Sequence, residues 1–504
     1  MSFLYKTNFL RSMSWLPVVF VILVLTGCAT VGPDYVPPEI SVPKDWYTQL
    51  KGGLTTGEMD PQTLAEWWKI LNDLELSSLI DRATLNNLDL KKALARVREA
   101  RARRGMAKAD LLPTFDATGS ASWTYAKTRS SNDTISSSSS KTSTSTNIRT
   151  STSTASQGLY AASFDAGWEL DIFGGVRRSV EAAEADLQVS EEDLRNVLVS
   201  LLAEVVSNYV AVRTYQARIA VAEANLETQA ETYQLTQWGY EAGLNDELTL
   251  QQARYNLEST RSQIPTLCTG LEEAMNRIAV LLGEQPGKVH AEMKKQEPIP
   301  VPPLKVAVGV PADVLRRRPD VRQAERQLAA QTARIGVATA DLYPKLTLSG
   351  SIGLEALSSS TLSSRGLTVT GGPQVTWAIF KAGAIRQNIE VQSALQEQYL
   401  IAYETAILSA LEEVENALVA YAEEQKRRQS LSEAAQAAQK TVELAQKKFQ
   451  AGLTDFSNVL EAQRSLLSFQ DQLVQSEGSV TSNLVRLYKA LGGGWTSLTP
   501  DVKK

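Results

Sequence analysis

The chain has 504 residues, with 51 Lys and Arg against 56 Asp and Glu, a net charge of −5 and a pI near 5.4. That balance supplies no basic face for nucleic acid. One His and two Cys argue against a zinc site, a Ser/His triad and most familiar enzyme chemistries without excluding any by themselves, and no catalytic residue, metal site or cofactor is expected.

The first segment is an address. Lys6 and Arg11 precede the apolar run "WLPVVFVILVL" from Trp15, which is too short for a bilayer span. "LTGC" follows at Leu25–Cys28 and resembles a bacterial lipobox. Residues 1–27 are therefore expected to be a signal peptide, with Cys28 carrying lipid, palmitate included. Ala29 after the Cys, with no Asp there, points to the outer membrane of a Gram-negative cell. Several acyl chains anchor a protein firmly, at roughly 0.8 kcal/mol per buried methylene. Cys268 is then the single Cys of the mature chain, so no intramolecular disulfide is expected.

Beyond that segment the chain is written twice. "ADLLP" from Ala109 matches "ADLYP" from Ala340, and "DIFGGVR" from Asp171 matches "AIFKAGAIR" from Ala378. "YEAGLNDELTLQQAR" from Tyr240 matches "FQAGLTDFSNVLEAQR" from Phe449, and "RIAVLLG" from Arg277 matches "RLYKALG" from Arg486. The order is the same in both halves, which is the mark of a duplicated unit.

Each unit opens on two stretches that alternate apolar and polar residues. In the first, Phe115, Ala117, Gly119, Ala121 and Trp123 fall among polar partners; in the second, Leu346, Leu348 and Ile352 alternate with Thr347, Ser349 and Ser351. Such alternation over about ten residues, with aromatics at the ends, is how a strand crosses an outer membrane. An ordinary surface hairpin is the plain alternative. The serine- and threonine-rich stretch after Ser130 reads as a long polar loop. Four strands cannot close a barrel, and an open edge in lipid leaves backbone groups unpaired. Membrane-spanning strands therefore require several chains.

A very long helix follows each hairpin. Leu198, Val205, Val212, Ile219, Leu226, Tyr233 and Tyr240 recur every seven residues. Ile407, Val414, Tyr421, Arg428, Ala435, Val442 and Phe449 occupy the matching places, with Arg428 and Ala435 weakening the stripe. A sustained seven-residue repeat means coiled-coil packing, and each helix reads as roughly 100 Å at 1.5 Å per residue. Gly243 and Gly452 end these helices, where a left-handed residue is needed. Asn245–Asp246 and Thr454–Asp455 stand where they can cap the next helix. Pro265 is expected to bend the first return helix. Between the halves, residues 284–311 are Pro-rich and read as irregular. His290 within them reads as a surface residue. The run Arg316–Arg318 reads as a solvated start to the helix that follows, and Glu412, Glu413 and Glu415 as a solvated helix face.

The lipobox, "VGPDYVPPEI", "RRRPDVRQAE", "ADLYPKLTLSGSIG" and "FQAGLTDFSNVLEAQR" together resemble the TolC-like outer-membrane efflux proteins, and more narrowly their NodT-type lipoprotein branch. The resemblance implies a mainly α chain with a membrane β-barrel. Four strands per chain would join a trimeric twelve-stranded barrel above a periplasmic α-helical barrel. On this basis 28–88 is the lipidated N-terminal segment and start of an equatorial region. Residues 89–283 are the first repeat, with its strand hairpin at about 113–173 and its helical hairpin at about 177–283. An equatorial linker (284–318) leads to the second repeat (319–492), whose hairpins lie at about 345–380 and 384–491; 493–504 is a tail.

The function implied is a passive exit duct of a tripartite efflux system. Its partners would be two further copies of the chain, a periplasmic adaptor, an inner-membrane pump of the resistance-nodulation-division type and outer-membrane lipid. The periplasmic gate would fall on Phe449, Leu453, Ser457, Asn458, Glu461 and Arg464, and adaptor contacts on Gly243, Leu244, Gly452 and Leu453. The family often has Tyr where Phe449 stands and Asp where Glu461 stands. Some members also carry acidic residues at the places of Asn458 and Thr249, so an acidic ring here rests on Glu461. Without the family, Glu461 reads as a surface Glu paired with Arg464 three residues on. The rival readings are a protein-secretion duct, a coiled-coil envelope spacer and a lipid-anchored carboxylate enzyme. The spacer has no use for paired amphipathic hairpins, and no acid pair stands in a pocket context.

Overall fold

The computed structural model describes residues 30–39, 41–57, 60–132, 149–303, 305–357 and 366–495. The expected signal peptide, the expected lipidation position Cys28 and the centre of the serine-rich stretch lie outside the described residues. The chain divides into two compact units: residues up to Tyr35 with Arg103–Ala183 and Gln331–Leu395, and Val36–Ala102 with Glu184–Ala330 and Gln396 onward.

The first unit holds a four-stranded antiparallel sheet of β1 (Thr114–Asn132), β2 (Arg149–Leu170), β3 (Lys345–Ala356) and β4 (Leu367–Thr376), in the order β1-β2-β3-β4. Both hairpins end alike. The Trp168 indole Nε1 donates to the Leu111 carbonyl at 3.0 Å, and Trp377 donates to the Leu342 carbonyl at 3.0 Å. Each Trp thus ties its hairpin to the turn that precedes it. The VGPDY segment is fastened in the same unit. The Arg178 guanidinium, 3% exposed, donates to the carbonyls of Val31 and Gly32 and pairs with Asp34 at 2.6 Å. Gly32 is required there, because a Cβ would lie 2.4 Å from the Gly336 Cα.

The duplication is visible in the lengths. The two long helices, Gly175–Glu241 and Ala384–Gln450, have 67 residues each, and the return helices Glu247–Leu281 and Phe456–Ala490 have 35 each. Helix hydrogen bonding carries past Pro265, and Glu247–Leu281 stays one helix. The stripe is buried at Leu198, Val205 and Val212 and opens towards Tyr240, which is 42% exposed. In the second unit these helices share one apolar core with the helices Leu74–Asn86 and Leu88–Ala109. Trp67 stacks on Tyr488 at 5.3 Å at its centre, and burial pushes the Tyr488 hydroxyl up to about 12.

Several expectations are corrected here. Residues 284–311 are not wholly irregular: His290–Met293 is a helical turn, and Val306–Ala307 pairs in parallel with Leu54–Thr55. His290 is half-buried and bonds Glu272 through Nε2 at 2.5 Å. The arginine run does not start one helix. Pro311–Arg317 and Pro319–Ala340 are separate, because Pro319 removes a helical N–H and turns Arg318 out of helical geometry. That turn buries Arg318, which donates to the Ala490 carbonyl at 2.8 Å and pairs with Asp320 and Glu413. The glutamates are likewise more than a solvated face. Glu413 holds Arg318, and Glu415 accepts from the Tyr47 and Thr48 amides at 2.7 and 3.1 Å.

Candidate functional site

The repeated sentence forms two helical tips built alike. At the first, the Gly243 amide donates to Tyr240 and the Leu244 amide to Gly239, at 2.9 and 2.7 Å. At the second, Gly452 donates to Phe449 and Leu453 to Lys448, at 2.9 and 2.8 Å. Both glycines have left-handed φ, +73° and +68°. This is the Schellman closure, which satisfies the last helical carbonyls. Leu244 and Leu453 then stand out at 83% and 76% exposure, an apolar residue at the end of each tip.

The caps differ. Asp246 accepts from the Thr249 amide at 2.9 Å, and bonds from Thr249 hold its carboxyl below the usual range. Asp455 makes no such bond, which corrects the expected cap. Instead Asn458 donates to the Thr454 hydroxyl at 2.8 Å.

The six positions expected to form a gate divide by environment. Phe449 is half-buried and meets Phe456 at 5.1 Å in a small cluster with Val459, Leu460 and Ala253. Leu453, Ser457, Asn458 and Glu461 are exposed. Arg464 turns away from Glu461. Its Nε donates to Asn256 Oδ1 at 2.9 Å, and its guanidinium lies 4.7 Å from the Tyr255 ring centroid. The simple i,i+3 pair of Glu461 and Arg464 is therefore not formed.

Asn256 and Tyr255 were not singled out from the sequence. A signal was there, however. Ala253, Asn256, Leu257 and Thr260 are buried at helical spacing, with two polar residues inside the apolar stripe. Such residues fix register at a cost in stability. A polar seam joins the first long helix to the second return helix over the same stretch. Arg218 pairs with Asp471 at 2.7 Å, Asn225 Nδ2 donates to Gln470 Oε1 at 2.8 Å, and Gln463 donates to the Thr232 hydroxyl at 3.0 Å. Arg218, Asn225 and Thr232 are spaced by seven, so one helix face carries all three. Several atoms in this stretch are buried without a hydrogen bond, among them the Gln229 amide, Asn256 Nδ2 and Gln463 Oε1.

The sheet separates its chemistry by face. Register places Phe115, Ala117, Ala121 and Trp123 of β1 beside Ala166, Phe164, Tyr160 and Gly158 of β2. The same face continues through Leu348, Gly350 and Ile352 of β3 to Pro373, Gly371 and Val369 of β4. The other face carries Thr118, Ser163, Asp165 and Ser351, with Thr118 bonded to Asp165 at 2.9 Å. Phe115, Trp123, Ile352 and Val369 are 49–70% exposed although apolar. An apolar face of this extent needs a partner medium. Among the described residues no group of three or more His, Cys, Asp or Glu is placed to hold a metal ion.

Comparison with known proteins gives a consistent result. The family described as outer membrane efflux protein matches residues 79–284 and 310–493. Nodulation protein T of Rhizobium leguminosarum bv. trifolii is 33% identical over 482 residues, 94% of this chain and 96% of that protein. The solvent efflux pump outer membrane protein SrpC of Pseudomonas putida is 31% identical over 95% of this chain and 98% of its own length. The solved outer-membrane channel OprN superposes with a TM-score of 0.81 at 34% identity, over 93% of this chain and all of that one.

Proposed function

The chain belongs to the outer membrane efflux protein family, and from that premise we propose that three copies form one exit duct across the outer membrane. The observation that carries this is the sheet: one face predominantly apolar, with Phe115, Trp123, Ile352 and Val369 exposed on it, and β1 and β4 each paired on one side only among the described residues. Lipid matches the apolar face, and the hydroxyl-lined face suits water. Open edges are untenable in lipid, and three four-stranded sheets give twelve strands.

In this reading the long helices reach into the periplasm and the tips form the gate. Phe449, Leu453, Ser457, Asn458, Glu461 and Arg464 ring the closed end of the second tips. Gly243, Leu244, Gly452 and Leu453 meet a periplasmic adaptor, and an inner-membrane pump of the resistance-nodulation-division type drives the cargo. Lipid at Cys28 anchors the chain. The duct moves substrate passively and performs no chemistry itself.

The test is the detergent-corrected mass of the mature chain by light scattering, taken from outer-membrane fractions. Three times the chain mass supports the shared barrel. A monomer that stays soluble once the lipid is removed overturns it and favours the envelope spacer.

A further inference from the structure

Two links join the sheet to the long helices, and they occupy equivalent places in the two repeats. Trp168 to Gly174 and Trp377 to Gly383 have the same length. The two indoles make the same bond to the preceding turn. Both glycines are left-handed, with φ +82° and +84°, and a long helix starts at the next residue in each case. Their contents differ. The first link is covered by its own chain. Asp171 turns back to accept from the Val176 and Arg177 amides at 3.1 and 2.8 Å, and it pairs with the Arg177 side chain. Phe173 stacks on Tyr343 at 4.7 Å, and its carbonyl accepts from the Val31 amide at 3.1 Å. A Cβ on Gly174 would lie 2.6 Å from Thr30 Cγ2, so the N-terminal segment sits directly on this link. The second link is bare among the described residues. Phe380 stands where the first repeat has Asp171, and Arg386, the counterpart of Arg177, is left exposed. Ile379 and Phe380 are 81% and 86% exposed, Lys381 beside them is exposed too, and nothing lies within 4 Å of a Cβ on Gly383.

We propose that Ile379–Lys381 is a membrane foot: Ile379 and Phe380 enter the periplasmic leaflet of the outer membrane, and the Lys381 ammonium meets phospholipid phosphate. The inference rests on the reading of the sheet as membrane-spanning and adds to it a lipid contact outside the strands, made by the second repeat alone.

Three features fit lipid as the occupant. The first is continuity. Val369, Gly371, Pro373 and Val375 lie on the apolar face of β4, Trp377 follows in the same alternation, and exposed apolar side chains run on through Ile379 and Phe380. The second is level. The Val31 amide fixes the N-terminal segment to the first link. Three residues of chain span at most about 11 Å, so a lipid on Cys28 keeps the first link beside the leaflet. The second link leaves the same end of the sheet and shares that level. The third is chemistry. Aromatic rings settle at the headgroup boundary, and a lysine lays its stem along apolar surface while its ammonium reaches outward. An exposed apolar tip edged by a cation matches that boundary better than it matches water. The asymmetry of the repeats then has a physical reason: the lipid-bearing segment covers the first link, and lipid covers the second.

Fluorescence quenching tests this in the full-length lipidated chain carrying Cys268→Ser. Ile379→Cys, Phe380→Cys, Val369→Cys and Leu453→Cys are made one at a time and labelled with an environment-sensitive fluorophore. Each is reconstituted in phosphatidylethanolamine–phosphatidylglycerol vesicles containing nitroxide-labelled phospholipid. The label at 369 reports the apolar face of the sheet, and the label at 453 reports water at a helical tip. The expected result is loss of fluorescence to the nitroxide lipid at 379, 380 or both, comparable to the loss at 369, with none at 453. Quenching of both link labels by aqueous iodide instead, with 369 still quenched by lipid, overturns the foot and leaves the membrane-spanning sheet standing. Link labels shielded from both reagents mean that a partner subunit covers the link, which overturns the foot as well. A label at 369 that escapes the nitroxide lipid fells the membrane-spanning sheet and the foot together.

Discussion

Arg464 donates from Nε to Asn256 Oδ1 at 2.9 Å while its guanidinium covers the Tyr255 ring, so the second return helix is fastened to the first near the tips. The contact joins the two repeats through a single side chain, and the surrounding stripe already holds unsatisfied polar atoms. Arg464→Ala is expected to loosen this fastening and raise single-channel conductance in planar bilayers. Glu461, exposed on the second return helix, behaves differently. Glu461→Ala is expected to leave the unfolding midpoint within about 0.5 kcal/mol of wild type and to lower cation selectivity. Unchanged conductance in Arg464→Ala would remove Arg464 from the gate.

Gly452 closes the second tip with φ +68°, and nothing lies within 4 Å of the position a Cβ would take. The cost of a side chain there is conformational alone. Gly452→Ala is expected to destabilise by about 1–2 kcal/mol, and Gly452→Asn by less, because Asn tolerates the left-handed region. Chemical denaturation of the detergent-solubilised protein checks the order; equal losses would mean that sterics dominate.

Arg318 presents its planar fork to Asp320 and Glu413 while donating to the Ala490 carbonyl. Lysine keeps the charge but not the fork. Arg318→Lys is therefore expected to lose on the order of 2–3 kcal/mol, the worth of a charge-assisted hydrogen bond. Arg316→Lys, at an exposed position, serves as the neutral control. A thermal midpoint that Lys preserves would contradict the fork argument.

Glu477 lies in a cleft of about 680 Å3 with Leu473, Pro302 and Arg428, and burial raises its carboxyl pKa despite the attraction of Arg428. A raised carboxyl makes the folded state bind the proton more tightly than the unfolded chain does. Ionisation then removes stability as pH rises from the ordinary glutamate value through the raised one. Glu477→Gln is expected to be more stable than wild type at pH 7, with the gain shrinking as pH falls through the raised value and levelling off by about 4.3, the ordinary value. Melting curves at a series of pH values decide it; a gain independent of pH would assign the effect to packing.

Sequence by itself determined the elements and their duplication, because these are written in local periodicity. Alternation marked the strands, the seven-residue stripe marked the long helices, and glycine at 243 and 452 marked their ends. Each signal needs only neighbours along the chain. The amphipathic hairpins also carried the outer-membrane reading, since four strands with an apolar face demand further copies. The tertiary structure decided the pairings between distant polar groups. Arg318 looked like one of three solvated arginines until the turn at Pro319 aimed it at Ala490, 172 residues away. Arg464 looked like the partner of Glu461 until Asn256, from the other repeat, took its Nε. Asp455 matched Asp246 in sequence and holds the N-cap position without a side-chain cap bond. A charged side chain on a helix reaches several partners of similar energy. Which one it takes depends on which desolvated acceptor the packing brings within about 3 Å, a fact absent from the order of residues.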